Sequence, residues 1–274
     1  MEEIILRFPH LAEEIFEKLS NECLVNCRAG DRVWQKFIDE KYYPWIRIVN
    51  IPTVLQNGWT YLHLAVRYRQ SDIVEKILKH SVEFGIDLNA KCSQGLTAFH
   101  GSIIMGNVEI ADVFIKNYSD LKIELNSKSE MGRTAFHYAC MYGQTEIAEK
   151  LVKNSKNIKM KLNSKDKIGH RTPFHSACRF NQPSIVEMMI RNSDYHNFDF
   201  AAKDDKNRTG FFIACYFGRQ EIVKIIICNS KYINFDLTAQ DCFGETGFQL
   251  AKKYPSIYSN ITRIIKAEWP EFYL

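Results

Sequence analysis

Two tetrapeptides, His-Tyr-Ala-Cys at 137–140 and His-Ser-Ala-Cys at 175–178, place an imidazole three residues before a thiol. On a helix that spacing sets both groups on one face, within reach of each other. Three readings compete for such a pair. The Cys is a nucleophile activated by the His, the pair is half of a metal site, or the thiol fills space as a small hydrophobe.

The elements that carry these residues decide among the three. Thr60, Thr97, Thr134, Thr172, Thr209 and Thr246 follow one another at intervals of 37, 37, 38, 37 and 37 residues. Each opens a similar segment: TYLHLAVRYR, TAFHGSIIMG, TAFHYACMYG, TPFHSACRFN, TGFFIACYFG and TGFQLAKKYP. A second set follows at helical apolar spacing, in DIVEKILKHS, EIADVFIKNY, EIAEKLVKNS, SIVEMMIRNS and EIVKIIICNS. Connectors rich in Asn, Asp, Ser and Gly complete each unit, as in DLNAKCSQG and KLNSKDKIG. The unit therefore reads as helix, turn, helix and polar turn-rich connector. Ala65, Ser102, Ala139, Ala177, Ala214 and Ala251 share one register of the first helix, where small side chains let the paired helices approach closely.

These motifs resemble the ankyrin repeat. TPFHSAC at 172–178 is close to the family's T-P-L-H-x-A-A signature, IVEMMI resembles its second helix, and DLNAK its hairpin connector. The resemblance covers about residues 52–265 and implies an all-α solenoid of five to six repeats. The period of 37 exceeds the family's usual 33, and the extra residues fall between the second helix and the connector, where a longer loop is expected. The last unit, with Lys252-Lys253-Tyr254-Pro255 in place of the Gly turn, looks like a terminal cap.

Register then answers the question of the His-Cys pair. Cys140, Cys178 and Cys215 stand where the earlier units carry Val66 and Ile103, so the thiol is expected to be a buried hydrophobe. The His recurs as His63, His100, His137 and His175, with Phe212 and Gln249 in its place later. A residue repeated four times is no singular catalytic base. The family resemblance implies instead that it ties neighbouring loops by hydrogen bonds to Thr and to backbone. Cys23 and Cys27 lack a second pair of suitable spacing for a metal, and the nucleotide-binding, zinc-protease and nucleophile-elbow motifs are missing. No catalytic residue, metal site or cofactor is expected, and the chain reads as a binding protein.

With 36 basic and 32 acidic residues the net charge of +4 gives no nucleic-acid surface. The longest apolar run, Ile225 to Cys228, is too short to span a membrane, and MEEIILRFPH has no signal-peptide pattern. A soluble cytoplasmic or nuclear protein with reduced thiols is expected.

The segment 1–50 differs from the array at 51–274. It contains three short amphipathic stretches, around Leu11 to Leu19, around Leu24, and around Trp34. Their order resembles the F-box, with Phe8-Pro9 for its L-P opening, Ile15, Phe16 and Leu19 for its first helix, and Trp34 for its Trp. Ala29-Gly30-Asp31 departs from the family pattern, and Gly30 suits a helix interior poorly by about 1 kcal/mol. The likeness implies docking onto the Skp-type adaptor of an SCF ubiquitin ligase through Phe8, Pro9, Leu11, Ile15, Phe16, Leu19, Leu24 and Trp34. The chain would then be a substrate receptor, its array holding an unknown target protein. The alternative is an ankyrin scaffold or inhibitor whose N-terminal helices only cap the array.

Eight residues after each Thr stand Tyr68, Met105, Tyr142, Phe180, Phe217 and Tyr254. The family resemblance places this register at the end of the first helix, facing a concave groove, where rings would act as anchors for the target. Arg67, Arg179 and Tyr216 stand one residue earlier, and the two arginines favour acidic partners mildly. The competing reading has these rings packing on adjacent repeats and extending the core.

Overall fold

Each threonine of the register starts a helix because its side chain satisfies amides that the helix leaves open. The backbone of Thr60, Thr97, Thr134, Thr172 and Thr209 is extended, and each is followed by seven or eight helical residues. In four of these the His three residues on completes a reciprocal capping box, the place more often held by Glu or Gln. Pro173 and Pro183 occupy first-turn positions, where a missing N–H costs nothing.

The computed structural model describes residues 58–82, 86–253 and 255–268, and of 255–258 the backbone only. Among them the helices are α1 (Tyr61–Arg67), α2 (Ser71–His80), α3 (Ala98–Ile104), α4 (Val108–Asn117), α5 (Ala135–Tyr142), α6 (Thr145–Lys153), α7 (Pro173–Arg179), α8 (Pro183–Arg191), α9 (Gly210–Tyr216), α10 (Gln220–Asn229), α11 (Gly247–Lys253) and α12 (Pro255–Glu268). No extended strand occurs among the described residues. The chain divides into two compact units, Met1–Ser93 and Gln94–Leu274. The first holds the pair α1–α2, and the second holds five pairs. The division expected near residue 50 falls outside the described residues.

Within the second unit the helices form two layers. The first helices stack as α3, α5, α7, α9 and α11, and the second helices as α4, α6, α8, α10 and α12. Each second helix buries one stripe: α6 buries Ile147, Ala148, Leu151 and Val152 and exposes Glu146 and Lys153. The small residues of the first helices, Ser102, Ala139, Ala177, Ala214 and Ala251, are all buried here, as is Ala65 in the first unit.

The connectors join repeat to repeat through backbone bonds. Glu130 donates to the Gln94 carbonyl at 3.0 Å, Lys167 to Met131 at 2.8 Å, Asp205 to Gly169 at 2.9 Å and Cys242 to Lys206 at 3.0 Å. Two asparagines add a two-way clasp. The Asn126 side chain donates to the Lys159 carbonyl and accepts from the Lys161 amide, and Asn163 does the same with Asn197 and Asp199.

In the second to fifth repeats the extra residues do lie in a turn-rich loop after the second helix, but that loop is not a solvated one. Its apolar residues, Ile123 and Leu125, Ile158 and Met160, Phe198 and Phe200, and Phe235 and Leu237, are buried. They line the base of the first helices with a second apolar row. Phe200 meets Phe174 edge-on at 4.9 Å and lies 5.0 Å from Phe235.

That packing leaves no room at the start of the next helix. Gly210 follows Thr209, and a Cβ there would run into the Phe174 ring and come within 3.2 Å of Cys178 Sγ. Gly210→Ala should therefore lower stability by about 1–3 kcal/mol despite the helix preference for Ala. A urea titration of the variant measures this, and unchanged stability would mean that the Phe174 ring yields freely.

Candidate functional site

All four histidines commit Nδ1 to structure, and His137 and His175 commit both ring nitrogens. Nδ1 accepts the backbone N–H of the preceding Thr at 3.2 Å in His63, His100, His137 and His175. The Thr hydroxyl sits 2.8 to 2.9 Å from the same nitrogen. An amide can only donate, so Nδ1 carries no proton and the proton is on Nε2. In His137 that Nε2–H donates to the Arg171 carbonyl at 3.1 Å, and in His175 to the Arg208 carbonyl at 3.0 Å. The rings of His137 and His175 thus cap their own helices and hold the connector of the following repeat.

Neither partner of the His-Cys pair is chemically poised. Burial pushes His137 down to about 4, against the opposing hydrogen bond to Arg171, and lowers His175 likewise. Burial also raises the Cys140, Cys178 and Cys215 thiols far above their ordinary value. A protonated thiol beside a committed neutral imidazole is no nucleophile. Site-resolved alkylation of the native protein should modify Cys242 and Cys228, which are exposed, and reach Cys92, Cys140, Cys178 and Cys215 only on unfolding. Rapid modification of Cys140 in the folded state would restore the nucleophile reading.

The ring register lies at the C-terminal ends of the first helices. The residue after it, Arg69, Gly106, Gly143, Asn181 or Gly218, has φ between 56 and 70° in every case, which turns the chain sharply into the second helix. Met105, Tyr142, Phe180 and Tyr216 are 40, 47, 41 and 45% exposed, too open for core residues. Phe217 is half-buried, and Tyr254 lies outside the described residues. Tyr138, one turn before Tyr142, is buried; it stacks on Tyr142 at 6.4 Å and donates to Ser129. In the first unit Tyr68 is exposed, and the Arg67 guanidinium lies 5.2 Å from the Trp59 ring.

Around Arg179 the surface becomes basic. Arg133, Arg171 and Arg208, each one residue before its Thr, reach buried carboxylates: Arg133 to Asp166 at 3.5 Å, Arg171 to Asp204 at 3.7 Å and Arg208 to Asp204 at 2.7 Å. Burial works against the Asp204 carboxylate, but the Arg208 bonds outweigh it and hold it below its ordinary value. Arg179 lies 4.8 Å from the Phe217 ring and 5.9 Å from Phe180. Arg219 lies 5.8 Å from Phe217 and donates Nε and Nη2 to the Arg179 carbonyl at 3.2 and 3.0 Å. Sequence reading missed Arg219, although Gln70, Asn107, Gln144 and Gln182 hold its register and make its charge stand out.

Stacked helix pairs, tied by a repeated Thr-His cap and laddered connectors and bearing an exposed row of rings, define a repeat solenoid of the kind that binds other proteins. Family models for ankyrin repeats match residues 84–166, 121–202 and 158–241 in a three-copy form and residues 50–102 in a many-copy form. The chain belongs to the ankyrin-repeat family. Comparison with curated proteins returns no match. Among solved structures, the ankyrin repeat domain of Bcl-3, described as a unique member of the IkappaB protein family, superposes with a TM-score of 0.65 at 18% identity, covering 80% of this chain and 92% of that one. Identity at that level shows a shared fold alone.

Phe8, Pro9, Leu11, Ile15, Phe16, Leu19, Leu24 and Trp34 all lie outside the described residues. Among the described residues, no helix is long and apolar enough to cross a membrane.

Proposed function

We propose that this chain is a non-catalytic receptor that docks a target protein on the exposed ends of its first helices. The observation that carries this reading is the row Met105, Tyr142 and Phe180, with Tyr216 beside the row's fifth member Phe217, large side chains left 40 to 47% exposed at the ends of the first helices. The Tyr and Phe rings among them lose little rotamer freedom on binding and act as anchors. Phe217 and Arg179 extend the row, and Tyr68 and Arg67 are the matching residues of the first unit. Loss of a captured target on replacing Tyr142 and Phe180 by Ala, with unchanged thermal stability, supports the reading. Target capture that ignores both substitutions overturns it.

The finer reading is a substrate receptor of an SCF-type ubiquitin ligase, the segment from Phe8 to Trp34 recruiting a Skp-type adaptor. It rests on the likeness of that segment to the F-box. Co-purification of the full chain with the adaptor, abolished by charged replacements of Pro9 and Leu19, is the expected result. A full chain that does not bind the adaptor leaves a scaffold or inhibitor, whose N-terminal helices cap the array.

A further inference from the structure

The ring row is not uniform: the first repeat carries Arg67 and the fourth Arg179 one residue before the ring, the fifth carries Arg219 two residues after it, and the second and third repeats carry no charge at either place. Arg179 stands where the third repeat has Met141, and Arg219 where the second to fourth have Asn107, Gln144 and Gln182. The exchange at 219 keeps a structural bond. Gln182 donates its side-chain amide to the Met141 carbonyl at 3.3 Å, and Arg219 makes the corresponding contact to the Arg179 carbonyl. The neutral amide makes the same kind of bond, so that bond does not itself call for a positive charge.

Nothing nearby neutralises the addition. Arg133, Arg171 and Arg208 share the two buried carboxylates Asp166 and Asp204, whereas no carboxylate among the described residues pairs with Arg179 or Arg219. Five guanidinium groups therefore face two carboxylates. Burial, and then the positive charges of Arg171, Arg208, Arg133 and Arg219, disfavour the Arg179 cation, although a guanidinium does not give up its proton. An anion placed there relieves that repulsion. The same two arginines lie against the Phe217 and Phe180 rings, so the charge and the apolar surface belong to one patch.

We infer that the patch formed by Arg179, Phe180, Phe217 and Arg219 recognises an acidic segment of a polypeptide, in which Asp or Glu side chains flank an aromatic or aliphatic one. The carboxylates meet the two guanidinium groups, whose planar forks match carboxylate geometry, and the apolar side chain seats on Phe180 beside Phe217. This rests on the docking role proposed for the ring row and names the chemistry of what docks.

The test is selection from a displayed library of random twelve-residue peptides against the full chain, followed by titration of the selected peptides. Arg179→Met and Arg219→Gln are the matched variants, because they install what the preceding repeat carries at the same places, and unchanged thermal stability of each confirms that the fold tolerates the exchange. Selected peptides should be rich in Asp and Glu around an apolar residue, and each variant should weaken them by about tenfold or more. Peptides that depend on Tyr142 and Phe180 but show no acidic excess, or bind both variants unchanged, overturn this inference and leave the docking role intact. Acidic peptides insensitive to every substitution show diffuse attraction to a basic surface and also overturn it. A selection yielding no peptide that depends on the ring row overturns both readings.

Discussion

Replacing His175 by Ala should lower the stability of the protein by about 3–5 kcal/mol, and the equivalent His137→Ala by a similar amount. The ring is fully buried and holds three groups: the Thr172 amide, the Thr172 hydroxyl and the Arg208 carbonyl. Removing it leaves a buried donor and a buried acceptor unmet, each worth about 1–3 kcal/mol, and opens a cavity the size of an imidazole. The sixth repeat supplies the control. There Gln249 accepts from the Thr246 amide at 2.8 Å and returns its own amide to the Thr246 hydroxyl at 3.1 Å, so Gln reproduces the cap without the ring. His175→Gln should keep the cap, lose the bond to Arg208, and cost about 1–2 kcal/mol. Urea titrations followed by circular dichroism would separate the two contributions. Equal losses for Ala and Gln would mean that the cap contributes nothing, and a silent Gln variant that the bond to Arg208 contributes nothing.

This division between cap and seam marks what the sequence could and could not tell. The Thr register, the helix pairs and the small residues between them were legible because they are local patterns repeated six times. The His-to-Thr cap spans three residues and followed from the family likeness. The partner of Nε2 stands 33 or 34 residues away, and only a structure identifies which carbonyl it meets. The clasps of Asn126 and Asn163 were hidden for a different reason. Asn in a connector is explained well enough by turn preference, so its reach into the next repeat left no separate trace.

The extra residues of the second to fifth repeats were placed correctly and judged incompletely. An alternation such as Phe198-Asp199-Phe200 holds two apolar residues that a solvated loop would not need, yet in a polar stretch it is too short to show periodicity. Burial of Phe198 and Phe200 against Phe136 and Phe174 explains why the loop keeps them. The candidate site was legible as a row and not as a patch. Aligning the units at the ring position finds Tyr142 and Phe180 at once. Finding Arg219 takes a second alignment two residues further on, at a place where the other repeats look like ordinary helix starts.

The histidine caps also make stability depend on pH, with a sign that follows from burial. His137 in the folded protein titrates at about 4, against an ordinary 6.5. Between those values the unfolded chain binds the proton and the folded one does not, so stability falls as pH drops through this window. Above 6.5 the residue adds no pH dependence, and below about 4 its contribution is fully lost. The interval corresponds to about 3 kcal/mol for His137, and His175, lowered in the same direction, adds to it. Asp204 works in a separate range: its folded carboxyl is held below 3.8, so its contribution is kept down to about that pH and lost only under more acidic conditions. Urea midpoints at pH 7.5, 5.5 and 4.5 should therefore decline steeply over the histidine window, and His137→Gln should flatten part of the decline. A flat profile between 7.5 and 4.5 would contradict neutral, buried rings. The cost has a structural origin beyond desolvation. A proton added to the ring must go on Nδ1, where it would face the Thr134 amide that now donates to it, so charging the imidazole breaks the helix cap as well.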